Sequence, residues 1–209
     1  MAAMRPGEPA VLLAAALFLG GCVSSVSTED FSVPPLRDGR IALLALAASP
    51  AASRADPDAA SAGARILTAR LLEQLDERQD LEVVSPASAA RALETAGLAW
   101  PARDPAAVGA LLARNFGVAG FLAGEVSRYR GRASSTRAAS VEFEIGLYRV
   151  DGQRLWRAQF SETQQGLSDD PGSFGRAWER GFRWRTAEQL AAYGAREVVE
   201  RVPGPEPGP

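Results

Sequence analysis

The sequence contains a single cysteine, Cys22, and it lies ahead of nearly all of the chain. Nothing downstream can be cross-linked by a disulfide or organised by a thiolate cluster, so any folded body must be held by packing alone. Material for packing is present: 46% of the 209 residues are hydrophobic and 23% are charged, a balance that suits one globular domain with a sizeable core. Histidine is absent, which excludes Ser-His-Asp triads, Cys-His dyads and His-bearing zinc sites. On these grounds no catalytic residue, no metal and no cofactor is expected. Every basic residue is arginine, and the formal charge of -2 gives no field for gathering nucleic acid.

Residues 1–21 have the form of a secretory leader. Arg5 supplies a positive start, and Val11 to Leu19 is an uninterrupted apolar run before Gly20 and Gly21. The run is too short to cross a bilayer, which takes about 20 apolar residues. Leu19-Gly20-Gly21-Cys22 resembles the bacterial lipobox. That resemblance implies cleavage between Gly21 and Cys22 and a diacylglyceryl thioether on Cys22, which would make the lipid bilayer the first partner of the mature chain. Two or more acyl chains anchor stably where one does not, because each buried methylene contributes about 0.8 kcal/mol. Val23-Ser24-Ser25 follow with no aspartate. By resemblance to the sorting pattern of Gram-negative lipoproteins, this places the protein on the periplasmic face of the outer membrane.

Residues 22–39 are polar and include Pro34-Pro35, the composition of a lipidated tether. The globular domain is expected over 40–202. Arg40 to Ala48 is an apolar run of strand length, suited to a strand covered on both faces. Residues 49–62 contain only small and turn-forming residues with a few charges, and are expected to form a loop. Ala64 to Arg78 carries leucines at helical spacing, and Leu81 to Val84 is a short strand. Ser85-Pro86 and Asp104-Pro105 each combine an N-cap with proline at the first helical position, and Gly97 and Gly117 supply the stops. Val118 to Tyr129 is a second long strand. Val141 to Val150 alternates apolar and polar residues, Asp151-Gly152 signals a two-residue hairpin, and the return strand places Trp156, Ala158 and Phe160 on one face. A helix over Ser173 to Trp184 and a capping box at Thr186–Gln189, opening a last helix to about Val202, complete the domain. Residues 203–209, PGPEPGP, are expected to be disordered. This order of elements predicts an α/β (α+β) fold: a single mixed sheet with helices packed against it.

The opening strand 40–48, the run ARILTARLLEQLDERQDLEVVSP (64–86) and DPAAVGALLARNFGVAGFLAGEV (104–126) resemble a domain shared by three groups of envelope proteins. These are the N-terminal part of TolB, the curli-secretion lipoprotein (CsgG) and the lipoprotein activators of peptidoglycan synthases (LpoB). The likeness spans about residues 40–165. It implies a TolB N-terminal-like fold and a non-catalytic periplasmic domain that binds other envelope proteins. No segment supplies the long alternating hairpins that a curli-type pore needs, so no pore is expected.

Among the polar residues, Glu142 and Glu144 share one strand face, and Asp169-Asp170 precede Pro171-Gly172. The plainer reading is a solvated face and a turn. The alternative is a cell-wall glycan or peptide enzyme, or a small-ligand binder, that works through arginines and the carboxylates of Glu125, Glu142, Glu144, Asp169 and Asp170. The segment FGRAWERGFRWR (174–185) interleaves aromatics with arginines, a composition used by protein interfaces and membrane-surface helices. Phe174, Trp178 and Phe182 recur every fourth residue and suit a helix packed on the domain. Trp184 falls off that stripe. Together with Arg180, Arg183 and Arg185, it is the candidate partner-binding group.

Overall fold

A serine or aspartate followed by proline occurs at 49–50, 56–57, 85–86 and 104–105, and each pair opens a helix. The helices are α1 (Pro50–Ala55), α2 (Pro57–Asp76), α3 (Pro86–Thr95) and α4 (Pro105–Phe116). In each the cap side chain accepts a hydrogen bond from a backbone N–H of the first turn. The proline sits where no N–H is needed. The computed structural model describes residues 26–31, 36, 38–131, 139–163 and 186–205. The helix expected at 173–184 lies outside the described residues.

Seven strands form one mixed sheet: β1 (Val26–Asp30), β2 (Arg40–Leu43), β3 (Ala47–Ala48), β4 (Glu82–Val84), β5 (Gly120–Arg130), β6 (Ser140–Arg149) and β7 (Arg154–Thr163). The order across the sheet is β1-β7-β6-β5-β2-β4, with β3 also pairing to β5. The β2, β3, β4 and β5 pairings are parallel, whereas β5, β6, β7 and β1 pair antiparallel. A last helix, α5 (Ala187–Val199), opens on the Thr186/Gln189 capping box. Helices packed against a single mixed sheet are the α+β architecture expected from the order of elements.

The larger core fills the face covered by α2 and α5. Ile41, Leu43, Leu122, Phe143, Ile145, Trp156 and Phe160 of the sheet meet Leu67, Leu71, Leu75, Leu190 and Val198 of the helices there. A smaller core lies on the opposite face, where α3 and α4 cover Ala42, Leu44, Phe121 and Ala123. Gly124 is required where β6 approaches closely, because a Cβ would sit 2.0 Å from the Glu144 carbonyl oxygen. Gly117 ends α4 with φ of 66°, the left-handed conformation that glycine adopts without steric cost.

Five expectations change. Residues 22–39 are not wholly a tether: residues 26–30 form β1 along the β7 edge, and Val26 and Leu36 are buried in the larger core. The folded body therefore begins ahead of Arg40. The expected strand 40–48 is two strands. Leu43 is level with Leu122 and Ala47 with Glu125, so the β2–β3 side carries one extra residue. Leu46 turns its N–H to the buried Thr68 hydroxyl at 2.9 Å, which closes the gap. The expected loop 49–62 is helical almost throughout, as α1 and the first turns of α2. The hairpin turn occupies residues 150–153 instead of two residues, with Gly152 donating to the Arg149 carbonyl and Arg149 to that of Gln153. Finally, α5 stops at Val199, and the expected disordered tail is in place through Pro205. Arg78 donates to the carbonyls of Val199 and Val202, and the chain then passes Gly39 and Asp80.

Candidate interaction surface

Alternation along β6 buries Val141, Phe143 and Ile145 and turns Glu142 and Glu144 to the other side of the sheet. Register then decides their neighbours. Glu144 lies between Glu125 of β5 and Gln159 of β7, and Gln159 is followed by Ser27 of β1. The adjacent rows bring in Arg157 beside Glu29, and Glu142 between Arg128 and Ser161. Helices α3 and α4 cover the β2–β5 half of this face. The β6–β7–β1 half is a polar, charged field.

The field is tied together by arginine. Arg157 donates to Glu144 at 2.5 Å and lies 3.7 Å from Glu29, and Arg154 reaches Glu144 at 3.6 Å. Arg128 pairs with Glu142 at 3.2 Å. Arg154 also lies over the Phe31 ring, 5.0 Å from its centroid. The hydrogen bond to Glu144 holds the Arg157 guanidinium above its ordinary pKa, against the opposing effect of burial. Glu144 and Glu142 thus already have cationic partners within this chain. Glu125 has no ion-pair partner among the described residues.

Sequence reasoning placed Glu142 and Glu144 together on a wet face, and that is where they are. It missed their partners Arg128, Arg154 and Arg157. Arg157 alternates with the buried Trp156 and Ala158 and so lies on the polar side of β7, but which carboxylate it meets depends on the register with β6. Gly21, Cys22, Asp169, Asp170, Arg180, Arg183, Trp184 and Arg185 lie outside the described residues.

A shallow groove of about 640 Å³ runs between α3 and α4, lined by Arg91, Thr95, Leu111, Arg114 and Phe116 among others. Among the described residues no group of three or more Asp, Glu, His or Cys side chains could hold a metal ion. No helix among them is long and apolar enough to cross a membrane.

The geometry thus defines an α+β domain with one mixed sheet, helices on both faces and a half-open charged face. Similar solved structures include the PelC dodecamer from Paraburkholderia phytofirmans, at 19% identity and a TM-score of 0.45, covering 83% of this chain and 94% of that one. The lipoprotein GNA1162 from Neisseria meningitidis is similar at 18% identity and a TM-score of 0.44, covering 68% and 92%. The LpoB C-terminal domain from Escherichia coli is similar at 16% identity and a TM-score of 0.35, covering 64% and 87%. No protein family and no curated protein matches the chain.

Proposed function

We propose that this chain is an outer-membrane lipoprotein, anchored through an acylated Cys22 on the periplasmic face. Its domain is a non-catalytic protein-interaction module serving envelope assembly, secretion or the regulation of peptidoglycan synthesis. The observation that carries the reading is Leu19-Gly20-Gly21-Cys22 at the end of an apolar leader, holding the only cysteine of the chain. The charged field on the sheet agrees with it. Glu29, Glu142 and Glu144 are each paired with an arginine, so this face offers charges of both signs to a partner's polar groups. The partner is an envelope protein, and Arg180, Arg183, Trp184 and Arg185 remain the residues proposed to meet it.

Two measurements test this. Intact-mass analysis of the protein from its native membrane should find Cys22 as the mature N-terminus carrying acyl chains. Photocrosslinking from position 184 in living cells should then trap one stoichiometric envelope protein. An unmodified precursor, or a chain recovered only alone, refutes the proposal.

A further inference from the structure

Where α3 and α4 face each other, most of their side chains are too short to close the gap. Ser88, Arg91, Ala92 and Thr95 recur at helical spacing along one stripe of α3, and Leu111, Arg114 and Asn115 form the facing stripe of α4. Packed helix axes stand about 8–10 Å apart. Side chains such as Ser88, Ala92 and Ala96 cannot fill that space, and the groove of about 640 Å³ stays open. Leu111 is buried and Phe116 half-buried, which gives the groove an apolar floor. Both helices and the strands beneath them are described throughout. Phe116 lies shortly ahead of Gly120, where β5 starts, whereas Arg130, Ser140 and Thr163 stand together at the other end of the sheet.

The charge of the groove is one-sided. Arg91 and Arg114 line its two walls, both are exposed, and neither guanidinium has a hydrogen-bond or ion-pair partner among the described residues. No carboxylate among those residues lines it. Glu94 of α3 is three residues from Arg91 but is not part of the lining and forms no ion pair with it. Arginines of the sheet are tied to carboxylates, as Arg40 is to Glu82 at 3.2 Å and Arg157 to Glu144 at 2.5 Å. In a chain of formal charge -2, an apolar recess flanked by two free guanidiniums reverses the sign locally.

We propose that this groove is a docking site for an acidic segment of a partner protein, which seats an apolar side chain on Leu111 and Phe116 and brings carboxylates to Arg91 and Arg114. The planar fork of a guanidinium matches a carboxylate through paired hydrogen bonds. Shape narrows the occupant. A bilayer surface is too broad to enter a recess between two helices, and a small ligand in so shallow a groove would leave most of its surface in water. A peptide chain can lie along it: the stripe from Ser88 to Thr95 is about 10 Å long, the length of about three or four extended residues. The site is separate from residues 180–185 and does not depend on the acylation of Cys22.

The test pans a random peptide library on the full chain, isolated from its cells in detergent, with counterselection against the Arg91→Glu, Arg114→Glu double variant. Selected peptides should carry Asp or Glu on either side of a large apolar residue. Measured by fluorescence anisotropy, their affinity should fall at least about tenfold in the double variant, and versions with Arg in place of the acidic residues should bind that variant instead. Both positions are exposed and unpaired, so the urea midpoint of the variant should match the parent; if charge reversal lowers it, Arg91→Gln with Arg114→Gln takes its place. A selection that yields no peptides, or neutral or basic ones, overturns the proposal. So does displacement of the peptides by glycerophosphoglycerol at comparable concentration, which would assign the groove to a lipid headgroup. Self-association of the parent that the double variant abolishes would assign it to a second copy and overturn the proposal too.

Discussion

Replacing Gly63 by alanine sets two effects of opposite sign against each other. In an exposed helix interior, alanine is favoured over glycine by about 1 kcal/mol. Gly63 lies within α2 and is buried against β5, where an added Cβ would stand 2.4 Å from both the Cβ and the Cγ of Tyr129. Those atoms are the root of the side chain and cannot swing aside as a flexible tip would. To restore ordinary contact, α2 must move off the sheet by about an ångström, although it is also packed on α5 and held to it by the Arg70–Glu188 ion pair at 2.7 Å. Overpacking of this kind costs about 1–3 kcal/mol, and a contact this short belongs at the upper end. The net expectation for Gly63→Ala is a loss of about 2 kcal/mol, a fall in Tm of about 4–8 °C for a body of this size. Urea unfolding followed by tryptophan fluorescence measures it, since Trp156 is 1% exposed and changes environment on unfolding. A variant as stable as the parent, or more so, would show that α2 slides freely over Tyr129 and would refute the argument.

The remaining expectations use the same assay. Thr68→Val removes the hydroxyl that accepts from Leu46 and donates to the Ala64 carbonyl, leaving a buried N–H unpaired. A loss of about 1–3 kcal/mol is expected, and an unchanged midpoint would show that another acceptor replaces it. Arg157→Ala frees Glu144 and Glu29 from their guanidinium; with both partners about one-third exposed or more, the loss should be about 0.5–1 kcal/mol and shrink at high salt. A loss that is independent of salt would mean that packing, and not charge, joins these strands. The Arg78 guanidinium hydrogen-bonded to Asp80 lowers that carboxyl's pKa. Its folded value therefore lies below the unfolded value near 3.9, so its contribution is complete above about pH 4 and disappears as pH falls through the folded value. Asp80→Asn should flatten the acid limb of stability against pH below about 4, and an unchanged limb would place the acid sensitivity elsewhere.

The parts of the fold that were legible in advance rest on local chemistry. The caps at Ser85, Asp104 and Thr186 act on backbone groups two or three residues away, and their helices are where the sequence places them. The same device at Ser49 and Asp56 passed for a loop because alanine and serine follow it and no apolar stripe shows, although alanine is the best helix former. Strand β1 left no local trace: only Val26 of its five residues is buried, and the pairing that makes it a strand is with β7. The charged face divides in the same way. Alternation set Glu142 and Glu144 on it, whereas Arg128, Arg154 and Arg157 reach them through registers that no short-range pattern encodes.

The pairing of β1 with β7 also sets an order in time. The residues of β1, made early, must wait for a partner roughly 130 positions further along, since Val26 aligns with Phe160. Contacts of such wide separation form late in folding. Until β7 has been made, the β1 segment has no edge to pair with, and it takes its extended form when the sheet closes. A chain complete only through β6 therefore still lacks two strands of its sheet, and the arrival of β7 orders both of them together.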